Sequence, residues 1–202
     1  MQKISRLLFL LFFISISTIS AQKSAIYTSD SRDFDKAIAL YNDNQYASAQ
    51  LLFEKAKMAV ANEELESDCS FYIANCAIRT NQYNADVLME NFVANYPTSR
   101  KQNQAYIGVA HYYFAQSNYP QALEWFEKVD ENNLSESVRD QFNFQKGYSF
   151  FNSKNKKEAT AYFNKVTNSS EFGSQAKYYL GFMAYEGDDY KQATKYFDEV
   201  SG

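Results

Sequence analysis

The sequence predicts an all-α protein made of about five stacked helix hairpins, and two periodic series of small residues carry this prediction. Both series recur at intervals of 34–37 residues and stay in phase with each other. The first comprises Ala37, Ala74, Ala110, Gly147 and Gly181, and the second comprises Ala49, Ala85, Ala122, Ala159 and Ala193. A fixed period of this length is typical of stacked helix hairpins, in which a small residue lets two helix backbones approach closely. An irregular helical bundle is the alternative, but it would not keep phase through five copies.

The clearest hairpin covers Gln104–Val129. Its first half places one apolar stripe at the helical spacing i, i+3, i+4, i+7, namely Tyr106, Val109, Ala110 and Tyr113. The second half repeats that spacing with Ala122, Trp125, Phe126 and Val129. A turn is expected at Gln116–Asn118, which puts Pro120 in the first turn of the second helix, where its missing N–H has no cost. A hairpin this small cannot bury its own apolar face, so it needs neighbours of the same kind.

Large apolar residues accompany the second series of alanines. One follows each alanine by four positions, in the order Phe53, Met89, Phe126, Phe163 and Phe197. We expect these side chains to fill the gaps between neighbouring hairpins. Three of the turns that join successive hairpins are expected to be about three residues long.

These residues resemble the tetratricopeptide repeat (TPR) family, whose pattern is W-x2-L-G-x2-Y…A-x3-F. Tyr106-x2-Val109-Ala110-x2-Tyr113…Ala122-x3-Phe126 carries the pattern, and Lys177-x2-Leu180-Gly181-x2-Ala184…Ala193-x3-Phe197 carries it less fully. Lys156 departs from it, since it replaces the aromatic residue expected at the turn of the fourth copy. The resemblance implies a right-handed α-solenoid of five repeats over residues 30–202, the last one lacking a capping helix.

The N-terminus is expected to be a secretory signal peptide over residues 1–21. Lys3 and Arg6 precede a short apolar run from Leu7 to Ile19, and Ala21 closes a small-residue cleavage site. An uncleaved membrane anchor is the alternative, although the run is short for a span of roughly 20 residues. Residues 22–29 then form a flexible leader. We therefore expect an exported protein, periplasmic or extracellular and possibly associated with the cell envelope.

A short stretch supports that compartment. Asn95–Ser99 resembles the Y-P-x-S repeat ends of bacterial cell-envelope TPR proteins, such as those working with the Tol–Pal system or in outer-membrane protein assembly. The match covers five residues, so it indicates a compartment and not an identity.

Charge and motif content argue against several function classes. The net charge of −4 disfavours nucleic acid and a basic patch on anionic membranes. His111 is the one histidine, and Cys69 and Cys76 are the only cysteines, so no zinc-ligand cluster is expected. The two cysteines lie seven residues apart on one predicted helix, too far for a disulfide. No catalytic or phosphate-binding motif appears. We expect no enzyme, no cofactor, no metal and no small-molecule substrate.

The resemblance also implies where a partner binds. In TPR-like superhelices the first helix of each pair lines the concave side, at positions three before, one after and four after the small crossing residue. Carried onto this chain, the expected groove residues are Phe34, Tyr41, Phe71, Asn75, His111, Phe114, Phe144, Tyr148, Phe151, Tyr178, Phe182 and Tyr185. Aromatic rings at such positions suit adaptable binding of extended or helical peptides. The alternative for any single ring is packing against the first helix of the next repeat.

The function that follows is a secreted or periplasmic scaffold that binds a protein or peptide partner through this groove. One alternative is that the chain is the N-terminal recognition part of a larger cell-envelope assembly protein. A more remote one is an accessory domain of an enzyme. The membrane is expected to be involved only through an uncleaved signal segment, if at all.

Overall fold

The computed structural model describes residues 31–201, so the predicted signal peptide at 1–21 and the leader at 22–29 lie outside the described residues. The described part contains ten α-helices and no strand, which confirms the all-α prediction. The helices are α1 (31–42), α2 (Tyr46–Ala59), α3 (Glu63–Arg79), α4 (Ala85–Asn95), α5 (Gln102–Ala115), α6 (Tyr119–Phe126), α7 (Glu136–Asn152), α8 (Lys156–Asn164), α9 (Gly173–Glu186) and α10 (Tyr190–Ser201).

The helices follow one another as five pairs, and each pair is joined by the same tight turn. One residue per turn adopts a positive φ, in the order Asn44, Asn81, Ser117, Lys154 and Asp188. The turn after α5 shows the pattern: the Ser117 N–H donates to the Phe114 carbonyl and the Asn118 N–H donates to the Tyr113 carbonyl, both at 2.9 Å. This is the Schellman motif, which satisfies the last carbonyls of a helix and stops it. The first helix of every pair therefore ends at an equivalent position.

The chain divides into two compact units, of which the first runs to Leu88. Its described part holds α1, α2 and α3, and α2 packs against α3. Ala37, Ala49, Phe53 and Cys76 form one buried cluster of its core. The Asn62 side chain begins α3 by accepting hydrogen bonds from the Glu64 and Leu65 amides, at 2.8 and 3.2 Å.

The second unit begins at Met89 and holds α5 to α10. Within it α5 packs on α6, α7 on α8 and α9 on α10, while α6 contacts α7 and α8 contacts α9. One of its core clusters lies among α7, α8, the turn after α8, and α9, and comprises Phe144, Phe150, Ala159, Phe163, Val166, Ala176, Leu180 and Met183.

The small residues lie where helices approach most closely. A Cβ atom added at Gly147 would lie 3.1 Å from the Tyr162 Cβ, and one added at Gly181 would lie 2.8 Å from a ring carbon of Phe197. Ala122 and Ala159 have no exposed surface. Large side chains cannot occupy these crossings, which is why the period of small residues predicted the pairing of the helices.

The second helices are shorter than the pattern predicts. In the Gln104–Val129 hairpin the second helix ends at Phe126. Val129, the last residue of the predicted apolar stripe, lies in the turn that follows the helix and is still buried. Of the described connections between successive helix pairs, only that between α2 and α3 is about three residues long; the later ones run over residues 96–101, 127–135 and 165–172. The apolar stripe continues past the end of the helix because the turn keeps those side chains on the core.

None of the helices within residues 31–201 is long and apolar enough to cross a membrane.

Candidate protein-binding groove

The groove residues predicted in the first unit lie against its core. The ring of Phe34 contacts those of Phe53 and Tyr72, with centroids 5.5 and 6.0 Å away. The Tyr41 hydroxyl lies 3.5 Å from the Asn75 side-chain oxygen, and burial raises the pKa of this tyrosine. Phe71 is almost fully buried. In this unit the predicted positions therefore contribute at least as much to packing as to an exposed surface.

In the second unit, four of the predicted residues come together around one groove of about 600 Å³. The four are Phe114, Phe144, Tyr148 and Tyr178, supplied by α5, α7 and α9. The remaining lining residues are Ala115, Ser117, Tyr119, Ser174, Gln175, Tyr179 and Val200. This volume is within the range of ligand-binding clefts, about 300–1,000 Å³.

Tyr148 is the centre of the groove. Its ring contacts those of Phe114, Tyr119 and Tyr179 edge to face, with centroids 5.7, 5.5 and 5.1 Å apart. It also stacks on Phe144 at 6.3 Å. Edge-to-face and offset contacts are the arrangements that aromatic quadrupoles favour. The wall of the groove is therefore a set of rings that hold one another in place before any partner arrives.

The sequence analysis assigns no role in the groove to two of these tyrosines, Tyr119 and Tyr179. Tyr179 stacks nearly parallel on the buried Phe163 of α8, with centroids 5.4 Å apart. Burial, together with a hydrogen bond to Tyr148, raises its pKa to about 12. A signal was available in the repeat: Tyr72, also two residues before the small crossing residue, stacks in the same way on Phe53 at 5.0 Å.

The lining of the groove carries no charged side chain. Its polar groups are tyrosine and serine hydroxyls and the Gln175 amide, all of which can donate and accept hydrogen bonds. A charged ligand would lose its hydration without gaining a counter-charge, so the lining favours uncharged ligands.

The other predicted residues of the second unit do not line the groove. His111 is half-buried, with its ring 6.0 Å from that of the buried Phe126. Phe151 contacts Tyr179 and Phe182 at 5.2 and 5.9 Å. Phe182 and Tyr185 lie further along α9 and are exposed.

A polar cluster that the sequence did not reveal lies between α6 and α8. Glu131, in a single 3₁₀ turn, accepts hydrogen bonds from Tyr162, Lys146 and Lys165, and both ammonium groups lie 3.0 Å from its oxygens. Burial opposes ionisation of the carboxylate, but these three donors outweigh it and lower its pKa to about 2. Burial, together with the same hydrogen bond to Glu131, raises the pKa of Tyr162. Since each charge has a partner, the cluster fastens the loop to α7 and α8.

Both cysteines lie in α3, are unbonded and are buried. Burial raises the pKa of the Cys69 thiol to about 11 and that of Cys76 to about 12. Thiols react as thiolates, so these two are inert at neutral pH.

Comparison with known proteins supports the fold. A sequence profile described as a tetratricopeptide repeat matches residues 68–99, which end at the Asn95–Ser99 stretch. No curated protein sequence matches the chain significantly. Among solved structures, MamA AMB-1 is 17% identical and covers 85% of this chain and 90% of its own, with a TM-score of 0.69. MamA from Desulfovibrio magneticus RS-1 is 13% identical, and the match covers 85% of this chain and 93% of that one, with a TM-score of 0.68. At these identities the likeness is one of fold.

Proposed function

We propose that this chain, in which residues 68–99 match a tetratricopeptide-repeat profile, is a scaffold that holds a segment of a protein partner in the aromatic groove around Tyr148. The observation that carries the proposal is the convergence of rings from three first helices, α5, α7 and α9, on one cleft without charges. Repeat proteins of this kind present their binding surfaces across several repeats.

The groove suits an extended, uncharged and partly apolar segment. Aromatic side chains offer a large contact area with few rotatable bonds, so little conformational entropy is lost on binding. Tyr119, Tyr148 and Tyr178 each pair an apolar ring with a hydroxyl, and Ser174 and Gln175 add polar groups beside them. Hydrogen bonds from these groups to main-chain amides would position a peptide while its side chains contact the rings.

We place this scaffold outside the cytoplasm as part of the same proposal. The support is the pattern of residues 1–21, a basic start, a short apolar run and a small-residue site. N-terminal sequencing of the protein after expression in a Gram-negative host tests it. Recovery of Gln22 as the first residue is expected, and an intact Met1 end in the membrane fraction would contradict export as a cleaved protein.

The binding function is tested with peptides selected from a phage-displayed random library on the wild-type protein. Tyr119→Ser and Tyr178→Ser are expected to weaken the selected peptides about tenfold or more, as loss of a hot-spot ring does. Tyr83→Ser is the matched control, because Tyr83 is fully exposed in the first unit. Isothermal titration measures the affinities. Peptides whose affinity does not change in either groove variant, or a library that yields none, would overturn the proposal.

A further inference from the structure

One face of α9 carries an exposed aromatic row. Tyr178, Phe182 and Tyr185 follow the spacing i, i+4, i+7, so they share one face of the helix. Their exposed fractions are 49%, 36% and 58%. Tyr190 of α10 extends the row, since it is 56% exposed and its ring lies 5.5 Å from that of Tyr185. We call these four residues the α9 face.

The fold itself shows what covers such a row. The equivalent positions on α7 are Phe144, Tyr148 and Phe151, each 34 residues earlier. Tyr179 of the next first helix contacts all three, at 6.4, 5.1 and 5.2 Å. The first unit repeats the arrangement, since Tyr72 of α3 contacts Phe34 and Tyr41 of α1 at 6.0 and 5.1 Å. Twice in this chain, therefore, one tyrosine of a following helix covers the row of the preceding one.

The covering helices share a stripe of four positions at i, i+3, i+4, i+7. On α9 the stripe is Ala176, Tyr179, Leu180 and Met183, and on α3 it is Cys69, Tyr72, Ile73 and Cys76. Its second position is a tyrosine, and the other three are small or apolar. The stripe defines the chemistry of a helix that fits a row of this kind.

The direction of the covering helix is also fixed within the chain. Phe144, early in α7, contacts Phe172 just before α9, and Phe151, late in α7, contacts Phe182 late in α9. The two helices therefore run parallel. A helix seated in the same way on α9 would bring its C-terminal end to Tyr185, beside the exposed carboxylates Asp188 and Asp189. Basic residues at that end would match these carboxylates.

The size of the α9 face selects a single helix over a second copy of the chain. An aromatic side chain covers about 150–250 Å² when it is buried, so four half-exposed rings offer on the order of 400 Å². A stable dimer interface needs about 800 Å² per partner. The α1 helix of a second copy is also a poor match, because its exposed positions include Arg32, Asp35 and Lys36.

We propose that the α9 face is the docking site for one amphipathic helix of another protein. The helix runs parallel to α9, presents a tyrosine at the second position of an i, i+3, i+4, i+7 stripe of small and apolar residues, and ends in basic residues. This site is separate from the groove around Tyr148 except at Tyr178, and it does not require that groove to be occupied.

The probe for the experiment is a fluorescent peptide with the sequence of residues 62–80, which contains α3 with its capping Asn62. Cys69 and Cys76 are replaced by alanine to prevent oxidation. Fluorescence anisotropy is expected to detect binding to the purified protein. Phe182→Ser and Tyr185→Ser should each weaken it about tenfold or more. The same peptide carrying Tyr72→Ala should bind the wild-type protein more weakly by a similar factor.

Two matched controls separate this site from the rest of the molecule. Tyr83→Ser removes an exposed ring elsewhere, and Tyr119→Ser alters the groove but not the α9 face; neither should change the affinity of the peptide. Binding that persists in Phe182→Ser and Tyr185→Ser, or that is lost in Tyr119→Ser, would overturn the proposal. Self-association of the protein that disappears in Tyr185→Ser would also overturn it, since a second copy would then cover the face.

Discussion

At the scale of the residue, the five turns between paired helices depend on one backbone conformation. Each needs a residue at positive φ, and none of the five is glycine. Asn44, Asn81 and Asp188 tolerate this region because their short polar side chains bond locally. The hydroxyls of Tyr46 and Tyr190 donate to Asn44 and Asp188, which holds those two turns further. Ser117 and Lys154 are less suited, so their turns store strain.

Lys154→Gly is therefore expected to stabilise the protein by about 0.5–1 kcal/mol. Glycine adopts φ near 63° without the steric cost that the lysine side chain incurs. Ala161→Gly, inside α8 on its exposed side, is the control and should destabilise by about 1 kcal/mol. Urea unfolding of the three proteins measures both changes. A loss of stability in Lys154→Gly would mean that the turn is not in the left-handed region.

At the scale of the element, each helix pair depends on contact between a small residue and a large ring. α7 and α8 approach at Gly147, whose missing side chain leaves room for Tyr162 and Phe163. Ala159, on the same stretch of α8, is fully buried within the core cluster. A larger side chain at Gly147 or Ala159 would not fit unless one of the helices moved.

Ala159→Leu is expected to destabilise the protein by about 1–3 kcal/mol, because three added carbon atoms must enter a filled core. Ala161→Leu lies two residues away on the exposed side of α8 and should change stability by less than about 0.5 kcal/mol. Thermal and urea unfolding decide the comparison. Equal effects from the two substitutions would contradict the register of α8 on α7.

The Glu131 cluster also joins α7 and α8, through polar contacts instead of apolar packing. Its carboxylate has a pKa lowered from 4.5 to about 2, so the stability it contributes is present above pH 4.5 and is lost as pH falls toward 2. Glu131→Gln should cost about 2 kcal/mol at neutral pH, since it leaves the buried Lys146 without a counter-charge. Between pH 7 and pH 3 the free energy of unfolding should also fall by less in this variant than in the wild type. Urea unfolding at pH 7 and pH 3 tests this, and parallel acid losses in both proteins would contradict it.

At the scale of the whole molecule, the two compact units each have a core of their own, around Phe53 in the first and Phe163 in the second. Each core contains a tyrosine stacked on that phenylalanine. Weakly acidic groups with a raised pKa are present in both: the buried thiols in the first and the half-buried hydroxyl of Tyr179 in the second. Because of these raised pKa values, the free energy of unfolding is expected to depend on pH in the alkaline range.

Stability is expected to fall as pH rises from about 9 toward 11 and 12. The thiols of Cys69 and Cys76 have pKa values raised from 9.0 to about 11 and about 12. Below pH 9 both are protonated in the folded and unfolded states. Above it the unfolded chain releases protons that the folded chain retains, so unfolding becomes more favourable.

The double variant Cys69→Ala, Cys76→Ala is expected to lose less stability over that range than the wild type, even if it begins lower because of the smaller side chains. Urea unfolding at pH 8 and pH 10 measures the difference. An equal alkaline loss in both proteins would show that the thiols are not the groups that titrate. Slow modification of the native thiols by iodoacetamide, accelerated by urea, is the companion measurement.

The sequence alone determined the helical pairing and the phase of the repeat. These features depend on local spacing: apolar residues at i, i+3, i+4, i+7 form a helix face, and small residues mark the crossings. It also placed Phe114, Phe144, Tyr148 and Tyr178 at the expected groove-facing positions of three successive first helices, and the structure brings these four around one groove. Pattern alone could do this because equivalent positions of stacked repeats face the same way.

Only the tertiary structure decided which rings are covered and which remain exposed. Phe144 and Tyr178 occupy the same position of successive repeats, yet the first is buried and the second is exposed, because the rings of Phe172 and Tyr179 lie against Phe144. The Glu131 cluster was not predictable for the same reason: its partners are 15 to 34 residues away in sequence, and no local period encodes which side chain meets which. Spacing along the chain fixes the direction of a side chain, but burial depends on what packs against it from elsewhere.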